Sequence, residues 1–249
     1  MRPPLLTLPA DELHLWHAPV AMLDDESVRA ACQSLLTSEE KQRQERYYFQ
    51  RNRDEFLVTR ALVRTTLSRY SSIEPRAWRF AQGAHGKPFI ATEHETDGLC
   101  FNLSNTHGHV VCAVARKREL GVDLEDPSRS GDTVEIADRF FSPREVADLH
   151  ALPAELQRER FFAIWTLKEA YIKARGTGLS LGLDGFSFIF ETGDAVRIEI
   201  DPALNDDPAR WQFTRFAMND RVGAVCVARA ANESVNVVFQ TRSAGHWQV

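Results

Sequence analysis

The chain has 249 residues, of which 43% are hydrophobic and 26% charged, with a formal net charge of -5. Those proportions match ordinary globular usage and exclude a disordered, collagenous or disulfide-stapled chain, and the acidic balance speaks against a uniformly basic nucleic-acid binder. The total conceals an asymmetry: positions 41 to 69 hold eight basic residues (Lys41, Arg43, Arg46, Arg51, Arg53, Arg60, Arg64, Arg69) and three acidic ones (Glu45, Asp54, Glu55), a local excess of five positive charges that leaves -10 for the rest.

In chain order, Met1-Arg2-Pro3-Pro4-Leu5-Leu6 has no apolar h-region before Asp11 and Glu12, so no signal peptide is expected. Thr37-Ser38-Glu39-Glu40 is an S/T-x-x-E capping box, in which the hydroxyl and the Glu satisfy backbone donors at a helix start. Phe56, Val63, Leu67 and Tyr70 recur along one face and predict a helix over 56–70. Arg53, Arg60 and Arg64 fall on one helical stripe at i, i+7 and i+11, read either as solvated or as facing an anion. Gly83-Ala84-His85-Gly86-Lys87-Pro88 is not a P-loop, because Pro88 stands at the Ser/Thr position and the glycines are too close. Its lysine fits a surface turn or a phosphate contact.

Phe101-Asn102-Leu103-Ser104-Asn105 is a polar run entering a buried strand, Val110 to Ala115. The longest uncharged stretch, Gly98 to Ala115, contains Asn102, Ser104, Asn105, His107 and His109 and cannot span a membrane. In Gly121-Val122-Asp123-Leu124-Glu125, strand alternation puts both carboxylates on one face while Val122 and Leu124 enter the core. Two readings fit: a solvated strand edge, or hard oxygen ligands for magnesium, which takes one or two carboxylates plus substrate phosphates.

Ser142-Pro143-Arg144-Glu145 is a second capping box with Pro at the first helical position, followed by a helical stretch from Phe161 to Arg175. Leu167, Ala170, Tyr171 and Ala174 form its apolar face, Gly176 sits where a C-cap falls, and Trp165, Glu169 and Lys173 line a second face at i, i+4 and i+8. Glu169 and Lys173 fit a surface pair worth ~0.3–0.5 kcal/mol, or a third metal carboxylate beside a phosphate-neutralising lysine. Gly178-Leu179-Ser180-Leu181-Gly182 imitates a nucleophile elbow but lies after a helix and before a strand, Phe186 to Phe190, the reverse of what that motif requires. His107 and His109 lack a third ligand at metal spacing. Ala224 to Ala228 reads as another buried strand, echoing Val110 to Ala115. The paired caps, helices and strands suggest two similar α/β halves meeting near Arg116 to Leu120. Cys32, Cys100, Cys112 and Cys226 form no C-x-x-C pair and read as buried free thiols; Trp16, Trp78, Trp211 and Trp247 show no interpretable spacing.

Asp123-x-Glu125 after Gly121-Val122, the string Trp165-Thr166-Leu167-Lys168-Glu169-Ala170-x-x-Lys173 with Gly176-x-Gly178-Leu179, the preceding Phe141-Ser142-x-x-Glu145, the Gly86-Lys87-Pro88 turn and Phe101-Asn102-Leu103-Ser104 occur in one order. Together they closely resemble the Sfp-type 4′-phosphopantetheinyl transferases, from about Leu36 to Phe188. The resemblance implies an α+β fold of two pseudo-symmetric α/β subdomains, 1–117 and 118–249, with the active site at their interface. It implies transfer of 4′-phosphopantetheine from coenzyme A to a serine of an apo acyl or peptidyl carrier protein, with Mg2+ or Mn2+ as cofactor, in a cytoplasmic monomer that binds neither nucleic acid nor membrane. Asp123, Glu125 and Glu169 match the metal ligands, with Asp123 also beside the coenzyme. Lys173 matches the contact to the coenzyme A phosphates and, with Glu169, the catalytic pair. Arg43, Lys87, Pro88, Ser104 and Asn105 match the part that holds the nucleotide and its 3′-phosphate. One departure stands out: the family commonly has His where this chain has Asn105, which donates a neutral hydrogen bond but no charge. Two other classes fit the same residues, a degenerate coenzyme A or carrier-binding module and a magnesium-dependent pyrophosphatase.

Overall fold

The computed structural model describes residues 4–131, 133–193 and 195–241, with only the backbone of Thr133, Leu179 and Thr241. Met1, Arg2, Pro3 and Trp247 lie outside the described residues. The elements in chain order are β1 (Glu12–Pro19), α1 (Glu26–Leu35), α2 (Ser38–Glu45), α3 (Gln50–Leu67), β2 (Phe80–Gln82), β3 (Pro88–Ile90), β4 (Leu99–Thr106), β5 (His109–Arg116), β6 (Leu120–Glu125), α4 (Thr133–Phe140), α5 (Pro143–His150), α6 (Ala154–Arg175), β7 (Phe186–Phe190), β8 (Val196–Ile200), β9 (Trp211–Met218), β10 (Arg221–Ala228) and β11 (Asn236–Thr241). They form a mixed α+β chain, as expected, in two compact units.

The first unit takes in residues 4–81, 88–117 and 236–241. Its sheet has the order β11-β1-β5-β4, with β11 parallel to β1 and the other pairs antiparallel. Trp16 pairs with Cys112 and Ala18 with Val110, and these side chains join Leu57, Val58, Ala61, Leu62 and Leu67 of α3 in one core. Val111, Ala113 and Ala115 are buried on the other face as well, which is why β5 reads as a continuous apolar run. Helix α3 starts at Gln50, six residues before the expected Phe56; Phe49 in the cap position makes no side-chain cap bond, so no capping motif marks this start in the sequence. It stops at Leu67, and Tyr70 closes a turn on the Leu67 carbonyl. The first capping box forms as read, with Glu40 N–H donating to Thr37 Oγ1 at 3.2 Å and Thr37 N–H to the Glu40 carboxylate at 3.0 Å.

The second unit takes in residues 82–87 and 118–235. An antiparallel sheet of order β6-β10-β9 carries α6 on one face, and β7 and β8 make a separate hairpin. Gly121 permits the close approach of strand and helix: a Cβ there would lie 2.0 Å from the Ala170 carbonyl oxygen and 2.5 Å from Ala174 N. Helix α6 begins at Ala154, before the expected Phe161, and ends at Gly176, whose φ of 67° is the left-handed cap conformation and whose N–H bonds the Ile172 carbonyl.

Cys32, Cys112 and Cys226 are buried thiols outside any disulfide, as expected, while Cys100 on β4 is only half-buried.

Candidate active site

The polar row on β6 and the polar stripe on α6 face one another within the second unit. Asp123 and Glu125 share the strand face that carries Gly121, the face against α6. Asp123 is 4% exposed and accepts a charge-assisted bond from Lys173 Nζ at 2.6 Å; the same ammonium donates to the Val122 carbonyl at 3.2 Å. At the other end of the row the Trp165 side chain hydrogen-bonds Glu125, which also meets the Arg129 guanidinium at 3.0 Å. Trp165 and Lys173 therefore bracket Glu169 on the helix as Glu125 and Asp123 succeed one another on the strand, and the i, i+4, i+8 stripe becomes one wall of a carboxylate-lined site.

Proximity shows in the proton affinities. Burial, and then the charge of Asp123, push the Glu125 carboxyl up to about 7 against the pull of Arg129, Lys173 and the Trp165 hydrogen bond. Burial and the same Asp123 charge raise Glu169, with Lys173 opposing. Three carboxyl groups held near one another at a cost are an all-oxygen donor set for a hard divalent cation, whose charge would offset their mutual repulsion, and in that respect the residues fit Mg2+. As placed, Asp123 is engaged by Lys173 and Glu125 by Arg129, and among the described residues no three His, Cys, Asp or Glu side chains are gathered as a metal-holding group.

One determinant of the site was hidden in the sequence. Glu145, read as a capping-box residue, does cap α5, accepting from Ser142 N–H at 3.0 Å. It also accepts from Phe188 N–H at 2.8 Å and forms a buried ion pair of 2.7 Å with Lys168. Lys168 further donates to the carbonyls of Leu183 (2.6 Å) and Phe186 (2.7 Å). Successive helical residues point about 100° apart, so anchoring Lys168 inward on this side sets the rotation that turns Glu169 toward β6. The signal was a lysine at 168 lying off the Trp165-Glu169-Lys173 stripe, directly after the apolar Leu167.

Lys87 also belongs to the second unit, where its ammonium donates to two backbone carbonyls, Leu120 at 3.0 Å and Ala174 at 3.1 Å. The remaining expected nucleotide contacts lie in the first unit. Arg43, in the last turn of α2, is exposed and stacks its guanidinium 5.6 Å from the centroid of the Phe56 ring. Pro88 opens β3. Ser104 and Asn105 are successive residues of β4, paired with Val111 and Val110, so their side chains leave on opposite faces; Ser104 is buried and Asn105 exposed. Arg60 and Arg64 are neither solvated nor aimed at a free anion: both converge on the Glu40 carboxylate, Arg60 Nε at 2.6 Å and Arg64 Nη2 at 2.9 Å, and Arg64 is fully enclosed. With Arg76 and Arg79 they wall a cavity of about 860 Å³ whose charge is mixed, because Glu39, Glu40 and Glu74 line it too.

The comparisons with known proteins point the same way. A family model described as "4'-phosphopantetheinyl transferase superfamily" matches residues 119–226, and one described as "4'-phosphopantetheinyl transferase, N-terminal" matches residues 25–118. The chain is similar to the 4'-phosphopantetheinyl transferase HetI of Nostoc sp. (strain PCC 7120), 35% identical over 228 residues that cover 91% of this chain and 92% of the relative. It is similar to the 4'-phosphopantetheinyl transferase Sfp of Bacillus subtilis (strain 168), 33% identical over 167 residues, 67% of this chain and 72% of the relative. A phosphopantetheinyl transferase of Thraustochytrium sp. is 30% identical over 217 residues, 82% of this chain and 73% of the relative. With the acidic strand and the Glu-Lys helix stripe in place, these matches establish that the chain belongs to the 4′-phosphopantetheinyl transferase superfamily.

Proposed function

We infer that this chain transfers the 4′-phosphopantetheine arm of coenzyme A to a serine of an apo acyl or peptidyl carrier protein and releases adenosine 3′,5′-bisphosphate. The observation that carries the reading is the apposition of Asp123 and Glu125 on β6 with Glu169 and Lys173 on α6. Phosphoryl transfer asks the protein mainly for positioning and charge stabilisation, and this row supplies both signs of charge. The carrier serine oxygen bonds the β-phosphorus, the bond from that phosphorus to the bridging oxygen breaks, and the electron pair leaves with the nucleotide. Glu169, its proton affinity raised by burial, takes the serine proton directly or through a water. Lys173 offsets charge developing on the leaving phosphate. Asp123, Glu125 and Glu169 would hold Mg2+ or Mn2+, whose chemistry is to neutralise and polarise the diphosphate.

Arg43, Pro88, Ser104 and Asn105 are assigned to the nucleotide end of coenzyme A; Lys87, expected among them, is taken up below. The cytoplasm is assigned as the place of action and a monomer as the active species. Supporting the first, Cys32, Cys100, Cys112 and Cys226 are present as thiols rather than disulfides. Among the described residues no helix is long and apolar enough to cross a membrane.

Intact-mass analysis of an apo carrier protein incubated with coenzyme A and Mg2+ tests the reading. The carrier should gain the mass of one phosphopantetheine arm. Binding with no mass gain would leave a coenzyme A or carrier-binding module instead, and coenzyme A cleavage in the absence of carrier would indicate a pyrophosphatase.

A further inference from the structure

Lys87 closes a set of contacts that joins two segments far apart in the chain. Its Nζ donates to the Leu120 carbonyl at the start of β6 and to the Ala174 carbonyl in the last turn of α6. The last four carbonyls of an α-helix have no partner within it, and they form the negative end of its dipole, where a cation is favoured. At the same level Gly121 brings the two backbones into contact. The turn itself sits against the segment that follows the helix: a Cβ on Gly176 would lie 3.5 Å from Lys87 Cδ, and one on Gly178 would lie 3.2 Å from His85 Cβ. The Gly86-Lys87 turn and the Gly176-x-Gly178 segment are thus one packed structure.

We propose that the 83–87 turn is a clasp and Lys87 a positioning residue, which ties β6 to the end of α6 and so sets the spacing between the carboxylates Asp123 and Glu125 and the pair Glu169 and Lys173. The two tied carbonyls flank the residues that matter: Ala174 follows Lys173 directly, Leu120 lies three residues before Asp123, and Lys173 and Asp123 are the pair joined at 2.6 Å. The inference rests on the transferase reading, which gives those four side chains their task. It differs from a nucleotide contact in what it predicts, because a lysine that touches the 3′-phosphate acts on recognition of that phosphate, whereas a clasp acts on the geometry of the reacting groups whatever the nucleotide carries.

The test is Lys87→Met, assayed with coenzyme A and with 3′-dephospho-coenzyme A, alongside amide hydrogen exchange of the free protein across residues 170–176. The expected result is a fall in kcat of about tenfold or more with both donors, since small displacements of reacting groups are costly. The ratio of the two kcat/KM values stays as in the wild type, and the amides of Lys173 to Gly176 exchange faster. A loss confined to coenzyme A would overturn the proposal in favour of a phosphate contact, and unchanged exchange or unchanged kcat would overturn it outright. Should Lys87→Met fail to fold, Lys87→Gln carries the same measurements, since a shorter neutral donor keeps part of the hydrogen bonding. Failure of the transferase reading is distinguishable: the wild type would then modify no carrier, while the exchange measurement would still report on the clasp.

Discussion

Lys168 and Glu145 meet as an ion pair sealed from solvent, Nζ to Oε2 2.7 Å, at the junction of α6, α5 and β7. Burial lowers the proton affinity of the lysine and the Glu145 charge raises it again, so the pair is sustained by mutual contact rather than by water. Replacing one partner strands the other's charge in the interior. Lys168→Met should therefore destabilise the fold by about 3–5 kcal/mol, measured by chemical denaturation. Lys168→Met combined with Glu145→Leu should recover only part of that loss, because Phe188 N–H and the carbonyls of Leu183 and Phe186 lose partners as well. A single variant as stable as wild type would show that the pair carries no structural weight.

Lys173→Met removes the ammonium that bonds Asp123 and is assigned to the leaving phosphate. Transfer to an apo carrier, followed by intact mass, should slow by on the order of 10²-fold or more in kcat, the scale seen when one preorganised charge stabiliser is removed. An effect on KM alone would instead assign Lys173 to ground-state binding.

His17 and His109 stack in the first unit with Nε2 and Nδ1 2.9 Å apart. Burial, and then the neighbouring His109, lower the His17 pKa from 6.5 to about 4. In the unfolded chain His17 takes up its proton near 6.5, so between that value and about 4 the unfolded state binds more protons than the folded one. Stability is complete above the unfolded pKa and falls as pH drops through this window. His17→Phe should flatten the corresponding part of a stability-versus-pH curve, removing a slope worth at most about 3–4 kcal/mol across the window. If wild type and variant ran parallel from pH 7 to pH 4, the histidine pair would not contribute.

Asn105 is exposed near the end of β4, where the resembled family commonly carries His. A protonated imidazole would add a charge-assisted hydrogen bond to a 3′-phosphate, worth roughly 1.5–3 kcal/mol, or about tenfold and upward in affinity. Asn105→His should raise the preference for coenzyme A over 3′-dephospho-coenzyme A, most strongly below pH 6.5, where an unperturbed imidazole is charged. A preference that does not change with the substitution at any pH would remove Asn105 from the phosphate site.

What the chain alone determined was local. The two capping boxes and the Gly176 cap form as read, since each is a hydrogen-bond arrangement among residues a few positions apart. The acidic alternation of β6 and the Trp165-Glu169-Lys173 stripe were also legible, because strand and helix periods decide which side chains share a face. Only the tertiary structure decided what those faces meet. That α6 lies on β6 with Lys173 against Asp123, that Arg60 and Arg64 turn to Glu40, that Lys168 finds Glu145, and that Lys87 reaches Leu120 and Ala174 are matches between distant residues. Such partners leave no period in the sequence. A charged side chain taken out of water must be paired, but which partner it finds depends on how the backbones close around it.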